Sequence, residues 1–523
     1  MTRPDSILES KGAALREILR IGLPAVITMT SYTAMQFVDT WIVSRLGAAE
    51  VAGVGHGGIA AFLPQSIMFG LLGVVSTFVS QNLGAGKPER GACYAWNGLW
   101  LSTLSWLIVI VPYAIMLPAL MDGLWSLLGE AEADPRVREV ALGYGQILLF
   151  GCVFTVIART MAQYFYGMHR PNLIMVSTVT AVLINIPLTY GLVTGSFGLP
   201  EMGYAGAAVG TVIAGFIEGL IPLAVFVSKK YRTEFGTLRT WKPCLPEMRD
   251  IVRIGWPAAV MMGNEIFCWW IFMQFFVGRF GVASEAAAWI VLRYMHLSFM
   301  PAVGIMQALS AVVGRVIGAG RRDLVASRTA MGVVMCTAYM GFWGIIFVGF
   351  GEELARPFSS RGVDPALADE VVAIGARLFV VAAAFQVFDA LAISVSGSLR
   401  GAGDTVWPGM ATLVTSWVCI LGLGYAAVEF VPQWGPVGPW IGAAAYVIVL
   451  SLLLAWRFLS GGWKRIELVD RGRAAEDGEP RVEMGMAEAH GAEAGPSVCE
   501  FDELAEGHDR DRDRTVEPVG PGA

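Results

Sequence analysis

The chain has 523 residues, of which 55% are hydrophobic and 15% are charged, and its formal net charge is −6 at pH 7. Soluble domains average roughly 45–50% apolar and about 25% charged residues, so this composition is not that of a soluble domain. Long apolar runs recur along the chain, for example over 100–120, 173–193 and 440–459. Each has roughly the 20 residues that cross a hydrocarbon core about 30 Å thick. We therefore expect an all-α polytopic membrane protein.

Twelve transmembrane helices are predicted, and this even number places both termini on the same side of the membrane. In chain order their predicted bounds are Ile18–Arg45, Val51–Val79, Ala92–Leu120, Arg138–Tyr166, Asn172–Thr194, Ala205–Val227, Met248–Phe280, Ser284–Val316, Leu324–Phe350, Leu367–Leu399, Val406–Phe430 and Val437–Leu459. Several are longer than a perpendicular helix needs, so we expect tilted helices or extension into the headgroup region.

The predicted spans divide the chain into five parts. Residues 1–17 form an N-terminal segment, 18–228 a lobe of helices 1–6, 229–247 an inter-lobe loop, and 248–460 a lobe of helices 7–12. Residues 461–523 form a tail that is rich in Asp and Glu and lacks apolar periodicity. A segment of this composition cannot bury enough apolar surface to fold, so we expect a disordered cytoplasmic tail.

Lysine and arginine are concentrated in the loops on the side of the termini. Lys229 and Lys230 lie in the inter-lobe loop, and Arg321 and Arg322 follow the eighth helix, whereas the opposite loops carry few basic residues. Positively charged loops remain in the cytoplasm. We therefore expect a multi-pass protein of the bacterial inner membrane with both termini cytoplasmic. A basic loop can also bind nucleic acid, but the topology signal explains this one and no nucleic-acid partner is expected.

Sequence signatures of enzymes and cofactors are absent. The seven cysteines contain no CxxC pair, the histidines form no paired metal motif, and the chain has no phosphate-binding P-loop. We expect no cofactor and no ATP-driven motor, and a membrane enzyme would have no visible catalytic motif.

An ordered set of short motifs recurs at an offset of about 233 residues. The heptapeptide at 19–25 returns at 252–258, the Gly-Ala-Gly turn at 83–86 returns at 317–320, and three spaced glycines at 203–210 return at 435–442. Because six helices separate the copies, the two lobes run in the same sense and are related by a pseudo-two-fold axis along the membrane normal.

The repeated glycines and prolines also predict local structure. Small residues every third or fourth position allow close approach of helices, and the Gly-Ala-Gly turns permit positive φ. Pro24 and Pro257 are predicted to lie early in their helices, where a missing N–H costs least.

Three acidic residues within the spans are candidates for function: Asp39 in helix one, Glu265 in helix seven and Asp389 in helix ten. An ionised side chain in hydrocarbon costs roughly 2.5–3.5 kcal/mol on insertion scales, so such residues are rare without a role. The offset matches the three acids with Met273, Ser31 and Thr155, respectively, which are not acidic. The acids are therefore additions to the duplicated scaffold.

The acids have two interpretations. Each could be a structural ion pair with Arg159, Arg293 or Arg377, which also lie within predicted spans. Alternatively, an unpaired carboxylate could load and release a proton, and an oxygen-rich cluster could hold sodium. Either behaviour would couple transport to an ion gradient. The polar residues that could contribute to such sites include Gln36, Asn185, Asn264, Gln274 and Gln386, and Trp269 and Trp270 offer faces for a lipophilic cation.

The sequence resembles the multidrug and toxic compound extrusion (MATE) family, and within it the bacterial norfloxacin-exporting branch. The similarity runs from about Leu19 to Leu459 and excludes the tail. The segments that carry it are Val38-Asp39-Thr40, Leu83-Gly84-Ala85-Gly86, Asn185-Ile186-Pro187-Leu188, Glu265, Gln386-Val387-Phe388-Asp389-Ala390 and Leu399-Arg400-Gly401.

The resemblance implies sodium- or proton-driven antiport of small, lipophilic organic cations by two six-helix lobes, in a protein that we expect to be monomeric. By the same resemblance, Asp39 would serve an N-lobe proton or substrate site supported by Asn185, and Glu265 and Asp389 would form a C-lobe cation site that can hold sodium. From the residues themselves, Gln36 and Gln386 are expected as further supporting polar groups near these sites. Some branches of the family place a second acid in helix five, where this chain has Asn185 and Thr189.

Two other functions remain open from the sequence. A flippase of lipid-linked precursors from the wider superfamily would need arginines in the cleft to pair with phosphate groups. Arginines that line the cleft would favour the flippase, and arginines buried within a lobe would favour the drug exporter. A membrane scaffold without transport activity would leave the unduplicated acids unexplained.

Overall fold

The computed structural model describes residues 11–127, 135–359 and 365–468, and the regular secondary structure in these ranges is helical. The prediction of a disordered tail falls almost wholly on residues 469–523, which lie outside the described residues, as do residues 1–10 of the predicted N-terminal segment.

Twelve helices in the described ranges are long and apolar enough to cross a membrane, as predicted. In chain order they are α1 (Ala14–Val43), α2 (Ala49–Gly84), α3 (Pro88–Gly123), α4 (Pro135–Gly167), α5 (Pro171–Thr194), α6 (Tyr204–Phe226), α7 (Leu245–Phe280), α8 (Val282–Gly318), α9 (Arg322–Gly349), α10 (Ala366–Gly401), α11 (Val406–Phe430) and α12 (Val437–Leu459). A short helix, Lys229–Phe235, lies in the loop between α6 and α7.

The helices form two lobes that repeat the same packing. Helix α2 packs on α4, α4 on α6 and α5 on α6, and the corresponding pairs α8 with α10, α10 with α12 and α11 with α12 pack in the second lobe. The backbone repeats as well: φ is 56° at Gly203 and 57° at Gly435, and it is 76° at Gly86 and 82° at Gly320. Glycine adopts these positive φ values without a steric cost. The internal repeat predicted from the sequence is therefore a structural repeat.

The two lobes contact each other where α1 crosses α8 and where α2 crosses α7 and α8. The closest approaches occur at glycines and come in matched pairs. Gly84 of α2 lies against the backbone of Arg315, and Gly318 of α8 lies against the backbone of Gln81. Any Cβ at either glycine would overlap the facing carbonyl oxygen. The contacts lie toward the end of the molecule that carries the inter-lobe loop, so the lobes are joined at that end.

Apolar packing and polar bonds reinforce this joint. Ile18 and Ile21 of α1 are buried among residues of α8, α9 and α10, and Ile251 of α7 is buried in the core of the first lobe. Each lobe thus inserts the start of its first helix into the other. Thr77 and Gln81 donate hydrogen bonds of 2.9 Å to the carbonyl oxygens at residues 400 and 401 at the end of α10.

The expectation that Pro24 and Pro257 lie early in their helices is wrong. The helix that contains Pro24 runs from Lys11 to Val43, and the helix that contains Pro257 begins at Leu245. Both prolines therefore lie in helix interiors. The helices extend backward because the residues before each proline have their own buried face against the opposite lobe, an interaction that the apolar pattern of a single span does not reveal. Neighbouring helices make such interior prolines tolerable in membrane proteins.

Replacement of Gly318 by valine is expected to weaken the joint, because the added side chain meets the Gln81 carbonyl. Overpacking of this kind costs typically about 1–3 kcal/mol. Thermal unfolding of the purified protein would measure the loss, with Gly341→Val as the matched control, because a side chain at this glycine of α9 has open space around it. Equal melting temperatures for the two variants would contradict the assignment.

A second prediction concerns His169, in the turn between α4 and α5. Its Nε2 lies 3.0 Å from the carbonyl oxygen of Ala311 in the other lobe. Burial, together with the positive charges of Arg315 and Arg20, lowers the pKa of His169 from 6.5 to about 3. If the lobes separate, the imidazole enters water and regains a pKa near 6.5.

Separated lobes would then bind a proton at His169 between about pH 3 and about pH 6.5, whereas joined lobes would not, so the joint becomes more stable as pH rises through this window. Asparagine tolerates the left-handed φ of 56° at this position. His169→Asn should therefore lower the dependence of the melting temperature on pH below neutrality. An unchanged pH profile in this variant would rule out titration of the joint at His169.

Candidate functional site

The second lobe brings together two of the predicted acids. Glu265 on α7 and Asp389 on α10 interact electrostatically, and both act on the hydroxyl of Tyr446 on α12. Three helices of one lobe thus surround a pair of carboxyl groups. Among the described residues, none of the ion pairs within 4 Å involves Glu265 or Asp389, so their negative charge is not matched by a neighbouring lysine or arginine.

Polar side chains close to both acids in sequence form hydrogen bonds to the neighbouring helices α8 and α11. Gln386, one turn before Asp389, donates a hydrogen bond of 3.1 Å to the Ser298 hydroxyl, and its buried Oε1 has no hydrogen-bond donor among the described residues. Asn264, next to Glu265, ties α7 to α11: it donates to Ser416 Oγ at 2.8 Å and accepts from Trp417 Nε1 at 2.8 Å. The α11 end of this bridge lies at a π-helical turn that begins at Ser416.

The potential ligands near Glu265 and Asp389 are oxygen atoms. Within the part of the chain that the structure describes, no group of three or more His, Cys, Asp or Glu side chains could hold a metal ion. Sodium, in contrast, accepts neutral oxygens beside carboxylates, because hard cations prefer oxygen ligands. The Oε1 atom of Gln386 is a buried oxygen that still lacks a partner.

The first lobe contains Asp39 in a different setting. Its Oδ1 is buried and receives no hydrogen bond from the described residues, and its charge acts on the hydroxyl of Tyr144 on α4. Asn185 and Thr189 of α5 are fully buried, and their side-chain polar atoms also lack partners in the described part of the chain. Gln36, predicted to support this site, is exposed.

The predicted arginine partners of the acids do not pair with them. Arg159 of α4 lies over the ring of Tyr32, 4.3 Å from its centroid, and 5.2 Å from the centroid of Phe69, inside the first lobe. Arg293 and Arg377 are exposed, and no ion pair among the described residues joins either one to an acid. The interpretation of Asp39, Glu265 and Asp389 as structural ion pairs is therefore not supported by their surroundings.

One buried acid, Glu218 on α6, was missed by the sequence reasoning. Its side chain is 7% exposed and accepts hydrogen bonds from the hydroxyls of Tyr32 on α1 and Thr178 on α5, the latter at 2.7 Å. It lies in the middle of the sixth predicted span, so an inspection of every acid within the spans would have found it. The strong overall hydropathy of that span concealed the single charge.

The sequence matches the family model described as MatE over residues 24–191 and 257–426. The two matched segments have the spacing of the internal repeat, and together they cover more than half of the chain. The chain belongs to the MatE family. Members of this family are transporters, so the chain is a transporter and not an enzyme.

Two named relatives come from bacteria. A protein named multidrug resistance protein NorM from Burkholderia vietnamiensis is 30% identical over 444 residues, which cover 84% of this chain and 92% of that protein. A protein named probable multidrug resistance protein NorM from Thermotoga maritima is 27% identical over 465 residues, which cover 88% of this chain and 96% of that protein. The chain is thus a NorM-like MatE transporter in a membrane that it crosses several times.

The fold also matches solved structures. A transporter of the MOP superfamily from Pyrococcus furiosus superposes with a TM-score of 0.77 at 21% sequence identity, and the match covers 89% of this chain and 100% of that one. At this identity the likeness concerns the fold alone. It confirms the arrangement of twelve helices in two lobes.

Proposed function

We propose that the protein is a secondary active antiporter that exports lipophilic organic cations in exchange for sodium ions or protons by alternating access. The observation that carries the proposal is the pair Glu265 and Asp389, two interacting carboxyl groups in one lobe without a basic partner among the described residues. The names of the two bacterial relatives, both multidrug resistance proteins, support the class of substrate.

The joined end of the lobes supports an outward-open conformation. The basic loops lie at the end where Gly84 and Gly318 hold the lobes together, and basic loops remain in the cytoplasm. In the bacterial inner membrane, with both termini cytoplasmic, the cleft between the lobes would then open outward. Alternating access requires this joint to break while the opposite end closes.

Coupling follows from the charge of the C-lobe pair. A sodium ion or a proton that enters from outside binds Glu265 and Asp389 and neutralises part of their charge, which lowers the affinity of the open cleft for a cationic substrate. The substrate is then released outward. Because linkage is reciprocal, binding of substrate from the cytoplasm must in turn lower the affinity of the site for the driving cation. The Tyr446 hydroxyl interacts electrostatically with both carboxyl groups, and its oxygen is a further ligand for the bound ion.

The placement of Arg159 supports an exporter of cations over a flippase. A phosphate carrier needs free guanidinium groups in its cleft. Arg159 instead packs on the ring of Tyr32 and interacts electrostatically with Glu218 within the first lobe. Arg293 and Arg377 are exposed and could still serve a flippase. The flippase would be favoured if the wild-type protein transports a phosphate-bearing lipid and this transport fails when Arg293 and Arg377 are both changed to glutamine.

The central test is dye efflux from vesicles that contain the purified transporter, under imposed sodium or proton gradients. Glu265→Gln and Asp389→Asn should each lower gradient-driven efflux by about tenfold, as expected for a coupling free energy of about 1–3 kcal/mol. Tyr446→Phe should lower the apparent affinity for the driving ion with a smaller effect on the maximal rate. Glu353→Gln, at an exposed acid of the short helix Gly351–Ser359 between α9 and α10, is the matched control.

The two gradients are imposed separately, so the same variants also distinguish sodium from proton coupling. Suppose that efflux by the wild type depends on one of the two gradients. If this gradient-driven efflux is unchanged in both the Glu265→Gln and the Asp389→Asn proteins, the pair is not the coupling site.

A further inference from the structure

Residues 461–468, which follow α12, lie against the second lobe and are here called the C-terminal strap. A short helix, Gly462–Arg465, buries the Trp463 ring, which is 3% exposed and stacks on the ring of Phe458. The indole Nε1 donates a hydrogen bond of 3.0 Å to the Phe458 carbonyl oxygen. The second lobe therefore continues beyond its last membrane-spanning helix, and Trp463 anchors the strap to it.

Arg322, at the start of α9, holds the strap by its main chain. Its guanidinium group donates hydrogen bonds to the carbonyl oxygens of Lys464 and, at 3.4 Å, of Ile466. The same group forms an ion pair of 3.3 Å with Glu467. These contacts follow one another along the strap, so Arg322 fixes the course of the chain up to Leu468.

Leu468 lies against the turn between α10 and α11. A Cβ atom at Gly403 in this turn would lie 2.6 Å from Leu468 Cδ1, so the leucine fills the space that a side chain at position 403 would need. Leu468 also packs against the buried first-lobe cluster that contains Phe78 of α2 and Ile251 of α7. The start of α7 inserts into this same cluster. The strap of the second lobe thus reaches the apolar part of the joint.

The internal repeat identifies the corresponding place in the first lobe. The match of Gly167 with Gly401 makes His169 the counterpart of Gly403. Both residues have a positive φ, of 56° and 84°, and the amides of both donate to the carbonyl oxygen three residues earlier. The side chain of His169 crosses the joint to the carbonyl oxygen of Ala311 on α8. Position 403 has no side chain, and Leu468 fills the space beside it.

The partner helices of the two turns correspond as well. The repeated Gly-Ala-Gly turns make Thr77 of α2 the counterpart of Ala311 of α8. Phe78, which follows Thr77, belongs to the cluster that Leu468 contacts. The joint therefore has two related halves. One is closed by the imidazole of His169 from within its turn, and the other is closed by a leucine that the strap supplies.

We propose that the C-terminal strap is a conformational restraint that holds the two lobes together, with Leu468 as its contact to the first-lobe cluster. Because Arg322 and Trp463 anchor the strap to the second lobe, separation of the lobes withdraws Leu468 from this cluster and exposes it to water. Exposure of apolar surface raises the free energy of the separated state. The strap thereby favours the joined arrangement. Its role in transport rests on the proposed alternating access, in which the joined arrangement is the outward-open one.

The test is hydrogen–deuterium exchange of the full-length protein in lipid nanodiscs, measured by mass spectrometry. The peptides of interest cover 74–86 and 311–320, which lie on the two sides of the joint, and exchange at such amides reports the population of opened states. Leu468→Ala should raise the exchange rate on both sides by about fivefold, as expected when a partly buried leucine loses its apolar contacts. Leu468→Met keeps an apolar side chain of similar volume and should restore the wild-type rate.

Two matched controls accompany these variants. Leu459→Ala makes the same deletion at the last residue of α12, where the side chain is 82% exposed, and should leave exchange at the joint unchanged. Arg322→Ala removes the bonds that hold the strap and keeps Leu468, and it should raise exchange in the same peptides. Its control is Arg279→Ala, which breaks an ion pair with Glu429 at the opposite end of the second lobe.

Equal exchange at the joint in the wild type and in Leu468→Ala would overturn the proposal, and so would equal increases in Leu468→Ala and Leu459→Ala. An increase confined to residues 406–468 would show that the strap stabilises the second lobe alone, which also contradicts the proposal.

The exchange experiment needs neither a substrate nor an ion gradient, so its outcome is independent of the efflux test. Unchanged exchange in Leu468→Ala, together with efflux that is lowered in Glu265→Gln and Asp389→Asn, would reject only the strap. Raised exchange in Leu468→Ala, together with unchanged efflux in those two proteins, would reject only the coupling site.

Discussion

The conformation of the molecule depends on the backbone contact between α2 and α8. Gly84 and Gly318 allow these helices to touch at their main chains, and each lies against the turn that precedes the other. Since no side chain intervenes, the hydrogen bonds from Thr77 and Gln81 reach across to α10, and His169 Nε2 lies within hydrogen-bond distance of the Ala311 carbonyl oxygen. These contacts all depend on the same close approach of the two helices. The alternating access proposed above requires all of them to break when the lobes separate at this end.

The acidic residues within the membrane-spanning helices do not follow the internal repeat that the scaffold follows. Glycines and packing pairs repeat between the lobes, whereas Asp39, Glu218, Glu265 and Asp389 have no acidic counterparts at the repeat offset. A duplicated scaffold supplies two equivalent positions among the helices of each lobe. The side chains at these positions have diverged. The match of Pro24 with Pro257 makes Tyr32, one residue from the predicted Ser31, the counterpart of Glu265, and the Tyr32 hydroxyl donates to an acid of another helix.

Local patterns were sufficient to predict the helices, the repeat and the acids of α7 and α10, because each depends on residues close in sequence or on a simple cost of burial. Other features depend on contacts between residues that are distant in sequence. Pro24 lies in a helix interior because Ile18 and Ile21 pack on the other lobe. The bond from Tyr32 to Glu218 joins residues separated by 186 positions, and no spacing within one helix reveals it. Exposure of Gln36 likewise depends on which face of α1 meets α5, a choice made by packing.

The two lobes differ in the basic groups beside their buried acids. Glu265 and Asp389 have no basic partner among the described residues, so in the proposed antiport their carboxyl groups can bind an external cation in competition with a cationic substrate. Glu218 shares its surroundings with Arg159, whose charge reaches it through the face of Tyr32. Arg159 thus places a positive charge beside the acid of the first lobe, whereas no ion pair within 4 Å in the described part of the chain supplies one to the acid pair of the second lobe. In the proposed antiport, this difference makes the second lobe the one that binds the driving ion.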